Sequence, residues 1–186
     1  AFQARSRKEV AKRRAALVVQ IKEIVPNLAI VNAGGTGSLE SSREEEAVTE
    51  VTAGSGFFSP SLFDAYSRFR HEPAAGFAIE IVRQPQPHLY TCLGGGYVAS
   101  GAIGKEKAPE PTWPQGAKLT SNEMAGEVQT PVEYKGPEKL VLGDPIFLRH
   151  CKAGELCEHF QELQLIQGGQ IVEAVPTYRG EGMCFL

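Results

Sequence analysis

The sequence predicts an α+β chain. Residues 1–72 read as the terminal βα units of a (β/α)8 barrel, and residues 73–186 as an antiparallel β-barrel or sandwich. Three observations predict this. Helix and strand signals alternate through the first part, which is the grammar of parallel βα units. Only two of the 12 prolines, Pro26 and Pro60, lie before residue 73, and beyond it short strand-like runs are separated by turn residues. Two apolar runs in the first part each lead into a glycine turn, as do the last two strands of a (β/α)8 barrel at its phosphate-binding face.

Each element follows from its residues. Residues 1–25 read as a helix that starts without a cap, and Val10, Leu17, Val18, Ile21, Ile24 and Val25 fall on one side as a stripe to be buried. Asn27–Val31 is a short apolar run between Pro26 and the glycines at 34, 35 and 37, and predicts a buried strand. Glu40–Ala47 is charged and helix-favouring, and Ala47–Ala53 is a second strand rich in β-branched residues. Ser59–Arg70 predicts a helix with Ser59 as N-cap, Pro60 at the first helical position, and Leu62, Phe63, Tyr66 and Phe69 as its apolar stripe.

Past Pro73 the alternation of Gly76–Arg83 predicts a strand. Leu89–Cys92, Glu138–Val141, Pro145–Leu148, Leu163–Ile166 and Gln170–Val175 predict more. Gly94–Gly96, Gly136–Pro137, Gly143–Asp144 and Gly168–Gly169 mark the turns. The proline-rich segment Gly104–Gly116 predicts an exposed loop.

Charge and composition narrow the function. The net charge is -3, so there is no general nucleic-acid footprint, and no apolar run is long enough to span a membrane. The charge is uneven: residues 1–25 carry seven basic and two acidic side chains, leaving -8 for the remainder. Such a basic run can meet an acidic partner or a membrane surface, although a solvated helix face is the ordinary explanation. Cys92, Cys151, Cys157 and Cys184 follow no CxxC spacing, which fits reduced thiols in the cytoplasm, and Cys184 has nothing basic beside it to activate it. Two parallel strands cannot cover both faces of a parallel sheet, and the first residue is Ala within a helix body. The chain is therefore expected to be part of a longer polypeptide. Its uncovered apolar surface is expected to self-associate into a homo-oligomer.

Two constellations carry candidate chemistry. The run Asn32–Ser38 (NAGGTGS) follows the first strand and Ala53–Gly56 (AGSG) follows the second. The N–H groups of the first turn and the hydroxyls of Thr36 and Ser38 can bind an anion, and Gly54 and Ser55 offer further N–H donors. No Lys follows, so this is no P-loop, and two plain tight turns remain an open alternative. The second constellation is Gly143–Phe160, where His150 follows a strand with Cys151 adjacent and Glu155, Cys157 and His159 nearby. His150, Glu155 and His159 are candidate zinc ligands, with Glu155 and His159 at i,i+4; a hydrogen-bonded histidine and buried thiols are the alternative. Near the carboxyl end, TYRGEG offers Arg179 as a carboxylate or phosphate anchor.

GGTGS, the AGSG turn, GDP followed by a strand and RHCKAGE, and PTYRGEG, in that order, resemble the C-terminal half of the D-threonine aldolase and D-serine dehydratase family. These are pyridoxal-phosphate enzymes of the alanine-racemase fold type. The likeness covers roughly residues 27–186 and is greatest to the bacterial "amino acid deaminase" branch. It implies a parent with an N-terminal barrel half holding the cofactor, a C-terminal β domain, and a small D-amino acid as substrate. It implies that Gly35, Thr36 and Gly37 after the seventh barrel strand, and Gly54 and Ser55 after the eighth, contribute to the cofactor-phosphate site. Thr52 matches a position near the pyridine nitrogen, where a hydroxyl tunes the cofactor's electron-sink strength. His150 matches the histidine that ligates a divalent metal such as zinc in the metal-dependent members. Two departures stand out. Lys152 occupies the place of their second ligand, a Cys or Asp, and could set an ammonium where the metal would lie. Cys92–Leu93–Gly94 stands where the family has an Asp before its glycine turn.

The lysine that anchors the cofactor covalently would lie upstream of Ala1, so this chain alone is expected to be inactive. The resemblance gives a pyridoxal-phosphate lyase acting on a β-hydroxy D-amino acid by dehydration, deamination or aldol cleavage. A non-catalytic anion-binding or assembly module and a zinc-dependent hydrolase-like domain are the alternatives.

Overall fold

The computed structural model describes residues 2–102 and 104–183; Ala1, Ile103, Cys184, Phe185 and Leu186 lie outside the described residues. The chain divides into two compact units, Ala1–Phe57 and Phe58–Leu186.

The first unit opens with helix α1 (Phe2–Ile24). The expected stripe is not its buried side: Val10, Leu17, Ile24 and Val25 are exposed, and Val18 is its one buried residue. The covered face runs instead through Arg7, Ala11, Arg14, Val18 and Ile21, a four-and-three-residue spacing centred on Val18. Arg14 pairs with Glu45 on that face. Strand β1 (Asn32–Ala33) and strand β2 (Glu50–Val51) pair in parallel, Asn32 opposite Glu50 and Ala33 opposite Val51. The parallel order matches the sequence reading, but each strand is two residues long, and Asn27–Val31 lies outside β1. Helix α2 is one turn, Leu39–Ser42, not Glu40–Ala47. Within the expected helix, Glu45 is taken by Arg14.

The second unit is an antiparallel sheet bent into a nearly closed barrel. It comprises β3 (Phe77–Gln86), β4 (Leu89–Leu93), β5 (Glu110–Trp113), β6 (Lys118–Leu119), β7 (Gln129–Glu133) and β8 (Pro145–Arg149), in the spatial order β5-β8-β3-β4-β7-β6. The end strands β5 and β6 approach one another. Alternation in β3 buries Phe77, Ile79 and Ile81 and exposes Ala78 and Glu80, as a one-sided strand requires. These meet Tyr90 and Cys92 of β4, Val132 of β7, and Ile146 and Leu148 of β8. Each such large apolar side chain contributes about 1.5–3 kcal/mol by leaving water. Helix α3 (Ala153–His159) adds Leu156 to this core. Strands β9 (Glu162–Gln167) and β10 (Gln170–Pro176) form a separate hairpin around Gly168 and Gly169, whose φ of 59° and 78° favour glycine.

Three expectations for this region are corrected. Ser59–Arg70 is not a helix: a 3-10 turn covers Ser61–Phe63 only. Tertiary bonds hold it instead, because the N–H groups of Ser61 and Leu62 donate to the carbonyls of His150 and Cys151. Ser59 has φ 50° and so cannot serve as an ordinary N-cap. Gly104–Gly116 is not an exposed loop: it contains β5, and Pro109 and Pro114 are buried. Pro111 fits because β5 ends the strand order, where a missing N–H breaks no ladder. Glu138–Val141 is not a strand; the sheet uses β6 and β7, which the sequence reading passed over.

Candidate functional site

The glycine turns lie at the ends of β1 and β2. Parallel pairing sets Asn32 beside Glu50, so both turns leave the same end of the pair. Gly34 has φ 112°, which lets the chain leave β1 sharply. The turn then closes with Ser38 N–H donating to Gly35 O at 2.9 Å. Thr36 is buried and links the turns: its Oγ1 accepts from the N–H of Gly56 at 2.9 Å and lies 3.2 Å from Ser55 Oγ. Gly56 suits this approach, since a Cβ there would sit 3.1 Å from Thr36 Oγ1.

The structure therefore brings together Gly35, Thr36, Gly37, Gly54 and Ser55. Among the described residues, the N–H groups of these five donate to no other backbone or side-chain group. Cβ atoms built on Gly35 and Gly54 would meet nothing within 4 Å. Unused N–H donors beside the hydroxyls of Thr36 and Ser55, with open space over Gly35 and Gly54, are the kind of groups that bind an anion. Thr52 stands just outside: Asn32 Nδ2 donates to Thr52 Oγ1 and to Glu50 Oε1. The sequence reading did not foresee this triad, because only the β1–β2 register sets Asn32 against Glu50. Ser38 serves the turn itself, its hydroxyl donating to Gly35 O at 3.4 Å.

The second constellation does not converge. His150 follows β8, is buried, and lies 3.2 Å through Nδ1 from the carbonyl of Ala75. Phe58 packs edge-on against its ring at 6.3 Å. Burial lowers its pKa to about 4; the bond to Ala75 opposes this, and Arg149 adds to it. Cys151 donates its thiol to Glu106 O at 3.2 Å, and burial raises its pKa. Burial likewise raises Cys157, and pushes Cys92 up to about 12. Lys152 donates to the carbonyl and hydroxyl oxygens of Ser100 at 3.2 and 3.0 Å. Glu155 accepts from Ser100 N–H at 2.8 Å, and hydrogen bonding from Ser100 keeps its carboxyl below the usual range. His159 stacks on Tyr97 at 4.3 Å. The expected trio of His150, Glu155 and His159 is thus dispersed, and no group of three His, Cys, Asp or Glu residues that could hold a metal occurs among the described residues.

Arg179 pairs with Glu158 at 3.1 Å. A stronger ion pair, not anticipated from the sequence, is Arg149 with Asp64. Its two guanidinium nitrogens reach the two carboxylate oxygens at 2.7 and 2.8 Å, while Nε donates to Ser59 O at 2.9 Å. This fork holds the 59–64 segment against the end of β8.

The fold matches that of part of a D-threonine aldolase. The chain matches the crystal structure of D-threonine aldolase from Filomicrobium marinum with a TM-score of 0.72 over 96% of its own length, at 15% identity. It spans 50% of that chain. No family model and no curated protein matches. At this identity the likeness establishes fold, and it extends across both compact units. No helix among the described residues is long and apolar enough to cross a membrane.

Proposed function

We propose that this chain is the C-terminal portion of a cytoplasmic, pyridoxal-phosphate-dependent lyase acting on a β-hydroxy D-amino acid. The observation that carries the reading is the pair of glycine turns joined through Thr36 and Ser55, with five N–H donors left unused. The D-threonine aldolase fold over 96% of the chain supports it. In this reading residues 1–72 are the last barrel units and residues 73–186 the C-terminal β domain. Gly35, Thr36, Gly37, Gly54 and Ser55 hold the cofactor phosphate. Thr52, oriented by Asn32, offers an uncharged hydroxyl toward the ring nitrogen and so leaves the ring less than fully protonated. When bound, the cofactor supplies an electron sink for breaking a bond to the substrate α-carbon.

In this reading the covalent anchor comes from the N-terminal barrel half. The partners are accordingly that barrel half, a D-amino acid, and a second copy of the enzyme. The test is to express the polypeptide with the coding segment that precedes Ala1. It should bind pyridoxal phosphate with a visible absorbance band and consume D-serine or D-threonine, while residues 1–186 alone consume neither. A longer polypeptide that binds no pyridoxal phosphate would refute the reading.

A further inference from the structure

We infer that His150 is an uncharged hydrogen-bond acceptor awaiting an O–H or N–H donor, and is not a metal ligand in this chain. The inference does not depend on the cofactor reading, because it concerns the donor set of the second compact unit alone. The carbonyl of Ala75 can only accept, so its 3.2 Å bond assigns the ring hydrogen to Nδ1. Nε2 then presents a bare lone pair. It is fully buried, and no group among the described residues donates to it. A buried acceptor without a partner is costly, so the arrangement calls for an occupant.

A carbonyl-oriented imidazole with an open lone pair is also how a metal-binding histidine is presented. The surrounding chemistry decides against a cation. Zinc needs three or four N, S or O donors, and no group of three His, Cys, Asp or Glu residues that could hold it occurs among the described residues. The Cys151 thiol donates to Glu106 O, and a thiol must lose that hydrogen to ligate. Glu155 is tied to Ser100 N–H and His159 is stacked on Tyr97. The Phe58 ring, which packs edge-on against the imidazole, offers no ligand. A dication here would meet one nitrogen ligand. A hydroxyl or ammonium donor needs only the one lone pair.

The test reads the imidazole nitrogens of the 15N-labelled full chain by NMR, with and without added Zn2+, beside zinc equilibrium dialysis of the native chain and His150→Gln. The expected result is Nδ1 protonated and Nε2 bare, no zinc-dependent shift at Nε2, and equal zinc retention by the two proteins. One equivalent of zinc held by the native chain and lost in His150→Gln would overturn the inference, as would a zinc-dependent Nε2 shift or a proton resident on Nε2. The NMR arm uses the native chain, so it decides the matter even if His150→Gln folds poorly.

Discussion

The barrel core of the second unit and helix α1 of the first treat their apolar residues in opposite ways. In the second, Ile81 and Ile146 are fully buried in the barrel core. In the first, Leu17, Val19 and Ile24 of α1 are 55%, 62% and 83% exposed, although helix and core strand are about equally clear in the sequence. The difference teaches that a hydrophobic pattern specifies which face seeks cover, while the cover itself is supplied by whatever else the chain brings. Short contacts across an antiparallel barrel supply it within the second unit. Two strands of two residues do not.

The comparison can be broken by substitution and by pH. Ile146→Ala, at a position with 0% exposure, should destabilise the second unit by about 3 kcal/mol, read as a lowered midpoint in urea at unchanged slope. A shift below about 1 kcal/mol would mean the barrel core is not tightly packed. Acid should act next. His150 is held neutral with a pKa lowered to about 4, against 6.5 for a free imidazole. The unfolded chain therefore takes up a proton that the folded chain refuses. Stability should be complete above pH 6.5, decline between 6.5 and 4, and level off below, by up to about 3 kcal/mol. His150→Asn should flatten that part of the pH profile; an unchanged slope would assign acid sensitivity to other groups.

Smaller effects sharpen the contrast. Arg149→Met leaves Ser59 O and Asp64 without their donor and should cost about 2 kcal/mol, measured by thermal unfolding, with loss of the ordered 59–64 segment. Thr36→Val keeps the shape but removes the acceptor for Gly56 N–H, and should cost about 1 kcal/mol in the first unit. Leu17→Ala should fall within about 0.5 kcal/mol of native, because the side chain is already largely in water. A large loss there would show that α1 is covered in solution, and would favour the self-association expected of such surface.

Legibility followed the same division. The alternation of Phe77, Ile79 and Ile81 was readable because one-sided burial imposes a period of two, whereas the runs that became β4, β8, β9 and β10 were readable as short apolar stretches between turn residues. Ser59–Arg70 misled, since a plausible cap and apolar spacing were overruled by Arg149 and the carbonyls of His150 and Cys151, partners some 90 residues away. Strand β7 was missed because Pro131 interrupts its pattern, and β5 because Pro111 and the flanking Pro109 and Pro114 read as loop. At the candidate site, the glycines announced the turns. The bond of Thr36 to Gly56, its closeness to Ser55 and the Asn32 triad depend on register, which no local pattern encodes.

The most direct measurement is a titration of the backbone amides of residues 1–186 with pyridoxal 5′-phosphate, inorganic phosphate and pyridoxal. If the joined turns hold the cofactor phosphate, the amide signals of Gly35, Thr36, Gly37, Gly54 and Ser55 shift saturably with the first two and stay in place with the third. Shifts of equal size with pyridoxal, or none at these five amides with either phosphate, would contradict the account.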